Sequence, residues 1–357
     1  MKYGKKIVIF INEWTNNKTW YESGYETIDE FITDDGKSMQ FIKSLSNVFE
    51  VNNGGVYEIA KIRARHSVIT FLMGMIFSEF GGLYGSIASV VNLEEANNFR
   101  LWLLTSLNHD IAYFSDRLKN GKIDYKKTFK YYLFDENSED DFLKYVRLFP
   151  KQYMSTLAYS YEEILLYDKY ARKYHKEKGD TKEQVDHGIL GGVITFYNSI
   201  RKIKKSGCNE NEILIAEASS LTIAQHNIFK SSSKECDRKY PEGLLKKLGH
   251  DSSFRINRKT PLLLLLSLVD TIECVKKFGK KDQEDNGNKS FEALTVLKSI
   301  FVFSDKEKIE IDLSEFAKKM KKKGIDKEEY WKSISTLSNW TELKVTEKDD
   351  VFTIVLE

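Results

Sequence analysis

The sequence predicts a mainly α protein that carries a small α/β appendage at its C-terminal end. Between residues 56 and 279, apolar side chains recur at steps of three and four, the period of one helical face. Only three prolines occur in 357 residues, which leaves long helices uninterrupted. Short strand-like runs bounded by turn residues gather after residue 290. With 41% hydrophobic residues the chain can bury a large core, as one big domain with appendages or as two domains. The expected organisation is an N-terminal segment (1–54), a helical domain (55–280) interrupted by an insertion (118–180), and a small α/β module (290–357).

In chain order, residues 6–12 (Lys-Ile-Val-Ile-Phe-Ile-Asn) read as a short strand, and Asn52-Asn53-Gly54-Gly55 as a loop. A first helix over 56–80 lines up Ile59, Ile62, His66, Ile69, Met73, Ile76 and Phe80, and Gly81-Gly82 ends it. A second, from Leu93 to Phe114, presents Phe99, Leu103, Leu107 and Asp110 on one face. Residues 118–180 are rich in tyrosine and charge, with a polar break at Asp135 to Asp141, and read as the insertion. A third helix opens at Asp186-His187-Gly188, with His187, Leu190, Ile194 and Tyr197 in register and Asp186 a candidate N-cap. Gly188, Gly191 and Gly192 permit a close helix approach there. The fourth helix aligns Ile215, Ser219, Thr222, His226 and Phe229. The fifth starts at Thr260-Pro261, with proline at the first helical position, and is apolar from Leu262 to Val269 except at Ser267, before reaching Asp270.

Residues 280–290 form a polar linker. The tail then reads as a helix (Phe291 to Phe303), a strand (Lys308 to Leu313) and a second helix (Ser314 to Lys323). A third helix (Lys327 to Leu337) and a hairpin turning through Glu347 to Asp350 complete it.

Four of the six histidines fall on these apolar helices, and with them two aspartates: His66, the pair His109-Asp110, His187, His226 and Asp270. Imidazole and carboxylate on a core face are costly unless something there compensates them. Both are ligands of first-row divalent metals. Adjacent residues on a helix diverge by about 100°, so His109 and Asp110 approach a common point from different sides. Asp270, at the end of so apolar a helix, calls for a cation or a charged partner. A satisfied core histidine is the competing reading at His66, and an arginine contact or a cap the competing reading at Asp270. His175 and His250 lie in polar surroundings and read as surface residues.

Composition narrows the function classes. Lys+Arg 55 against Asp+Glu 53 leaves a formal charge of +2, so no global field draws nucleic acid or a membrane. Basic residues cluster locally at Arg201 to Lys205, Lys246-Lys247, Lys276 to Lys281 and Lys318 to Lys323, as solvated helix faces do. Cys208, Cys236 and Cys274 are far apart and odd in number, which fits a reducing compartment and no zinc ribbon. The N-terminal apolar run is too short for a signal peptide and the longest apolar run too short to span a bilayer, so the expectation is a soluble cytoplasmic protein with no membrane partner.

The ordered set, one element to each helix, resembles the HD-domain superfamily of metal-dependent phosphohydrolases. The resemblance covers about residues 55–280. Arg65-His66-Ser67 is similar to the family's first-histidine helix and Leu107-Asn108-His109-Asp110-Ile111 to its namesake motif. Asp186-His187-Gly188, Ala224-Gln225-His226-Asn227 and Leu268-Val269-Asp270-Thr271-Ile272-Glu273 resemble the later signatures. The fold it implies is an HD-domain-like helical bundle. The ligand set it implies is His66, His109, Asp110 and Asp270 around one metal, with Asp110 bridging to a second held by His187 and His226. Mixed nitrogen and oxygen ligation favours two divalent transition metals among Mn, Fe, Co, Ni and Zn. Many members have Gly-Lys soon after the His-Asp pair. Here the run is Ile111-Ala112-Tyr113-Phe114-Ser115-Asp116, without lysine, so Asp116 and Tyr113 are the candidates for proton transfer.

The activity so implied is hydrolysis of a phosphomonoester or phosphodiester by a metal-activated water, with Asp110 central. A nucleotide, cyclic nucleotide or cyclic dinucleotide is the expected substrate class. Arg65 and Arg63 beside the first ligand, Arg117 after the pair, and Arg255, Arg258 and Lys259 before the fifth helix are candidate phosphate contacts. Two alternatives stand beside this reading. Asp186-His187-Gly188 also resembles an HD nuclease acting on single-stranded nucleic acid, although no helicase region accompanies it. A non-catalytic metal or nucleotide sensor is the third reading, and the complete ligand set speaks against it.

Overall fold

The computed structural model describes residues 66–112 except 68 and 72, residues 187–226 except 208, residues 256–273 and 299–357, with Phe278 and Val296. The expected strand at 6–12, the insertion at 118–180 and the linker at 280–290 lie outside the described residues. The described part is mainly helical, with a four-stranded antiparallel sheet near the C-terminal end. Among the described residues no single helix is long and apolar enough to cross a membrane. The chain divides into two compact units.

The first unit holds described residues within 82–269 together with 339–342. Its helices are α1 (Leu83–Val90), α2 (Asn98–Asn108), α3 (His187–Ser206) and α4 (Glu210–Gln225), and it takes residues 261–269 of α5 (Pro261–Ile272). The sequence pattern anticipates α2 to α5 but not α1. Helix α2 is shorter than expected: Glu95–Asn97 forms a 3-10 turn, and the α-helix begins only at Asn98. The buried Asn98 explains that start, because its side chain accepts from Ala88 N at 2.6 Å and ties α2 to the end of α1. The buried face of α2 departs from the expected one at its start, while Leu107 and Asp110 are buried as expected. Leu101 and Trp102 are wholly enclosed, whereas Phe99 and Leu103 are only half-buried.

Helices α3 and α4 form a tight hairpin. Gly207, at φ +95, makes the turn between them, and Asn209 caps α4 by accepting from Asn211 N at 2.9 Å. Gly192 lets the two backbones meet, for a Cβ there would lie 2.5 Å from Ser220 O and 3.0 Å from Ala224 Cβ. From Ile215 to Gln225 every residue of α4 is buried. Helix α5 is apolar on all sides and, as that requires, Leu262 to Leu266, Leu268 and Val269 are all buried.

The second unit holds described residues within 66–81, 270–338 and 343–357. His66 stands on a helical stretch that includes residues 69–71 and 73–76. A 3-10 turn, Phe77–Gly82, then breaks at Phe80 and Gly81, where Gly81 reaches φ +56. A side chain there would strike Leu356 Cδ2, and Gly81 N donates to Lys306 O at 2.9 Å.

The sheet has the order β1-β2-β4-β3, from β1 (Phe301–Ser304), β2 (Lys308–Asp312), β3 (Leu343–Lys348) and β4 (Val351–Leu356). The helix expected from Phe291 to Phe303 is therefore corrected at its end. Phe301 to Ser304 pairs with β2, Phe301 opposite Asp312, because an aromatic and β-branched run suits a ladder and Asp305 closes the turn. The Asp305 side chain accepts from Glu307 N at 2.8 Å and Lys308 N at 2.9 Å, and these two donors hold its carboxyl below the usual aspartate range.

Ile309, Ile311, Phe352 and Ile354 alternate into the core of this unit. Helices α6 (Ser314–Lys323) and α7 (Glu328–Ser335) add Phe316, Met320, Tyr330, Trp331 and Ile334. Rings join them, Phe278 meeting Phe316 and Tyr330 edge-on at 5.3 Å and Trp331 meeting Phe352 at 6.1 Å. Gly324, at φ +63, ends α6 with Ile325 N reaching back to Met320 O. The expected single helix from Lys327 to Leu337 is split at Thr336, and α8 (Leu337–Trp340) follows. Asp349 and Asp350 both take positive φ, the backbone of a primed hairpin turn. The Asp350 carboxylate receives Trp331 Nε1 and Lys327 Nζ, which anchors that turn to α7.

Two outcomes follow. Gly192→Ala should cost about 1–3 kcal/mol by overpacking α3 against α4, read as a fall of roughly 2–4 °C in Tm per kcal/mol. An unchanged melting curve would refute the close approach. NMR titration of Asp305 should give a midpoint below that of a free aspartate. A depressed carboxyl stabilises the folded state above its unfolded pKa, and that stability goes as pH falls through the folded value.

Candidate metal centre

In the first unit, three helix ends meet around one carboxylate. Asp110 lies in the turn that leaves α2, held by Ile111 N donating to Asn108 O at 2.9 Å. His187 is the first residue of α3 and His226 the residue that follows α4. Because α3 and α4 run antiparallel, the start of one and the end of the other fall together. Gly191 brings α3 against the same turn, its position lying 3.6 Å from His109 O and 3.4 Å from Ile111 Cγ2 for an added Cβ.

Asp110 Oδ1 stands 3.4 Å from His187 Nε2, 3.7 Å from His226 Nε2 and 3.9 Å from His109 Nε2. Asp110, His109 and His226 are buried, and His187 is partly exposed. Asp110, His187 and His226 each offer a ligand atom within 4.8 Å of the other two. The rings meet edge to face, His187 with His226 at 5.3 Å and His109 with His226 at 5.4 Å, so no stacking accounts for the gathering.

In the second unit, His66 is clamped between two acids. Its Nε2 lies 2.8 Å from Asp270 Oδ1 and its Nδ1 2.6 Å from Glu273 Oε2, with all three side chains fully enclosed. Asp270 sits in the last turn of α5 and Glu273 just beyond its end. The Tyr330 hydroxyl donates to Ile272 O and pins that turn.

The donor chemistry fits divalent transition metals. Donors held at about 2.0–2.1 Å from one ion and subtending roughly 90–110° stand about 2.9–3.4 Å apart. The Asp110–His187 spacing falls in that range, and the other two are a few tenths of an ångström longer. More telling is the orientation of the imidazoles. His109 Nδ1 bonds to Ser106 O at 2.7 Å, His226 Nδ1 to Ile223 O at 2.6 Å, and His66 Nδ1 to Glu273. In His109 and His226 the Nδ1 proton goes to a carbonyl, which leaves the Nε2 lone pair, the arrangement that outer contacts impose on metal-binding histidine, while His66 Nε2 also meets Asp270 Oδ1 at 2.8 Å. Two groups of buried histidine and aspartate could thus hold metal ions.

Other candidates are placed differently. Arg63, Arg65, Tyr113, Asp116, Arg117, Asp186, Arg255, His175 and His250 lie outside the described residues. Arg258 is exposed at the surface, where its backbone N and guanidinium meet Glu342 at 3.0 and 3.7 Å. Glu273 is the residue that sequence reasoning missed. Its spacing of three from Asp270 at the end of an apolar helix was the available signal.

No protein-family model, no curated protein and no solved structure matches the chain. The site therefore stands on its own geometry.

If these groups bind metal, a divalent transition ion at ~100 times its Kd should stabilise metal-free protein by about 2.7 kcal/mol. Thermal unfolding would show a higher Tm, reversed by chelator and diminished in Asp110→Asn. A Tm indifferent to Mn, Co, Ni and Zn would refute the site.

Proposed function

We propose that the chain is a metal-dependent phosphohydrolase of HD type, cleaving a phosphomonoester or phosphodiester. Nucleotides, cyclic nucleotides and cyclic dinucleotides are the candidate substrates. The supporting observation is the convergence of Nε2-presenting imidazoles on Asp110 Oδ1. In this reading Asp110, His187 and His226 would hold one divalent ion, and His66 with Asp270 would serve a second. A bound metal pair lowers the pKa of water and neutralises charge on phosphoryl oxygens.

The chain's own residues do the rest. Ser106 O, Ile223 O and Glu273 fix three imidazole rings before any ligand arrives, so orientation is settled in advance. Burial of Asp110, His109, His226, His66 and Asp270 keeps bulk water from the donors and strengthens their charge interactions. His187, the partly exposed member, marks the side on which solvent reaches the Asp110 group. Asp116 and Tyr113 are the proposed proton donors to the leaving oxygen, and Arg65 the proposed phosphate contact.

Metal-supplemented protein should hydrolyse bis-p-nitrophenyl phosphate and carry about two transition-metal equivalents per chain. Asp110→Ala should lower turnover by more than the ~10–100-fold typical of losing an outer contact. Metal binding without turnover on any phosphoester would overturn the enzyme reading and leave a metal-dependent sensor. Cleavage confined to short single-stranded DNA would turn it to a nuclease.

A further inference from the structure

The imidazoles are not held alike. His109 and His226 rest their Nδ1 atoms on backbone carbonyls three residues earlier in the chain, Ser106 O and Ile223 O. His66 instead rests its Nδ1 on a carboxylate, that of Glu273, at 2.6 Å and fully enclosed. A carbonyl is a neutral acceptor. A carboxylate is anionic, makes a stronger bond to N–H, and pushes electron density through the ring toward Nε2. In a buried place this effect is weakly screened.

We infer that Glu273 is a positioning residue whose carboxylate, behind the His66 ring, strengthens metal binding at the position containing His66 and Asp270. The inference rests on the proposed metal reading and says nothing about turnover. Glu273 bonds Nδ1, the ring nitrogen opposite the one that meets Asp270, so it acts through the imidazole rather than as a ligand. The placement is local and rigid. Asp270 and Glu273 are three residues apart at the end of α5, and the Tyr330 hydroxyl bonds to Ile272 O between them. A carbonyl-backed histidine gains no such charge.

Cobalt(II) titrated into metal-free protein in competition with a chelator would separate two affinities, with d–d absorption reporting each. Glu273→Ala should weaken one of the two equivalents by ~10–100-fold relative to wild type and leave the other unchanged. Glu273→Gln, which keeps an oxygen acceptor for Nδ1–H but loses the charge, should fall between the two. Unchanged affinities in Glu273→Ala, or equal weakening of both equivalents, would overturn the inference; equal weakening is what general loosening of the fold would produce. Selective loss of one cobalt affinity in Glu273→Ala, with no phosphoester turnover in wild type, would sink the proposed activity and leave this assignment standing. A wild-type protein that binds no cobalt would end both.

Discussion

A histidine ring has two nitrogens and one orientation, and in a core the first hydrogen bond decides the second. Once Ser106 O, Ile223 O and Glu273 take the three Nδ1 atoms, each ring can offer only Nε2. In the first unit those Nε2 atoms face one aspartate oxygen, and in the second the single Nε2 faces another. Everything proposed about chemistry depends on this locking. Without it, buried imidazoles would be ordinary polar residues seeking partners.

The backbone contributes the rest by setting where helices end. Two of the donors in the first unit are terminal residues of a helix hairpin, and they meet because α3 and α4 run in opposite directions at close range. Glycine at 192 permits that range, since any Cβ would overlap a carbonyl of the facing helix. The turn after α2 brings Asp110 to the same place. Precision at the carboxylate is thus inherited from backbone packing one to two turns away.

Much of this was legible in the residues. The 3.6-residue period marked α2 to α5, and polar residues breaking apolar stripes marked the donors. Proline at the first position and a run of leucines set α5 closely. What escaped has physical reasons. The face of α2 was misjudged because Trp102 outranks Phe99 as a core residue only once neighbours exist to enclose it. Phe301 to Phe303 read as helix because a short apolar run has no decisive period, and its strand state depends on pairing with β2. Glu273 stands in the last motif, but its role is not legible in the sequence because its importance lies in a partner 207 residues away.

The hydroxyl of Tyr330 closes the final turn of the helix that bears Asp270, and Tyr330 belongs to α7 of the second unit. The C-terminal part of that unit is therefore mechanically part of the scaffold of Asp270 and Glu273 rather than a passenger attached to it. Trimming the chain near residue 300 to isolate a helical core would take away the brace on Asp270 and Glu273 together.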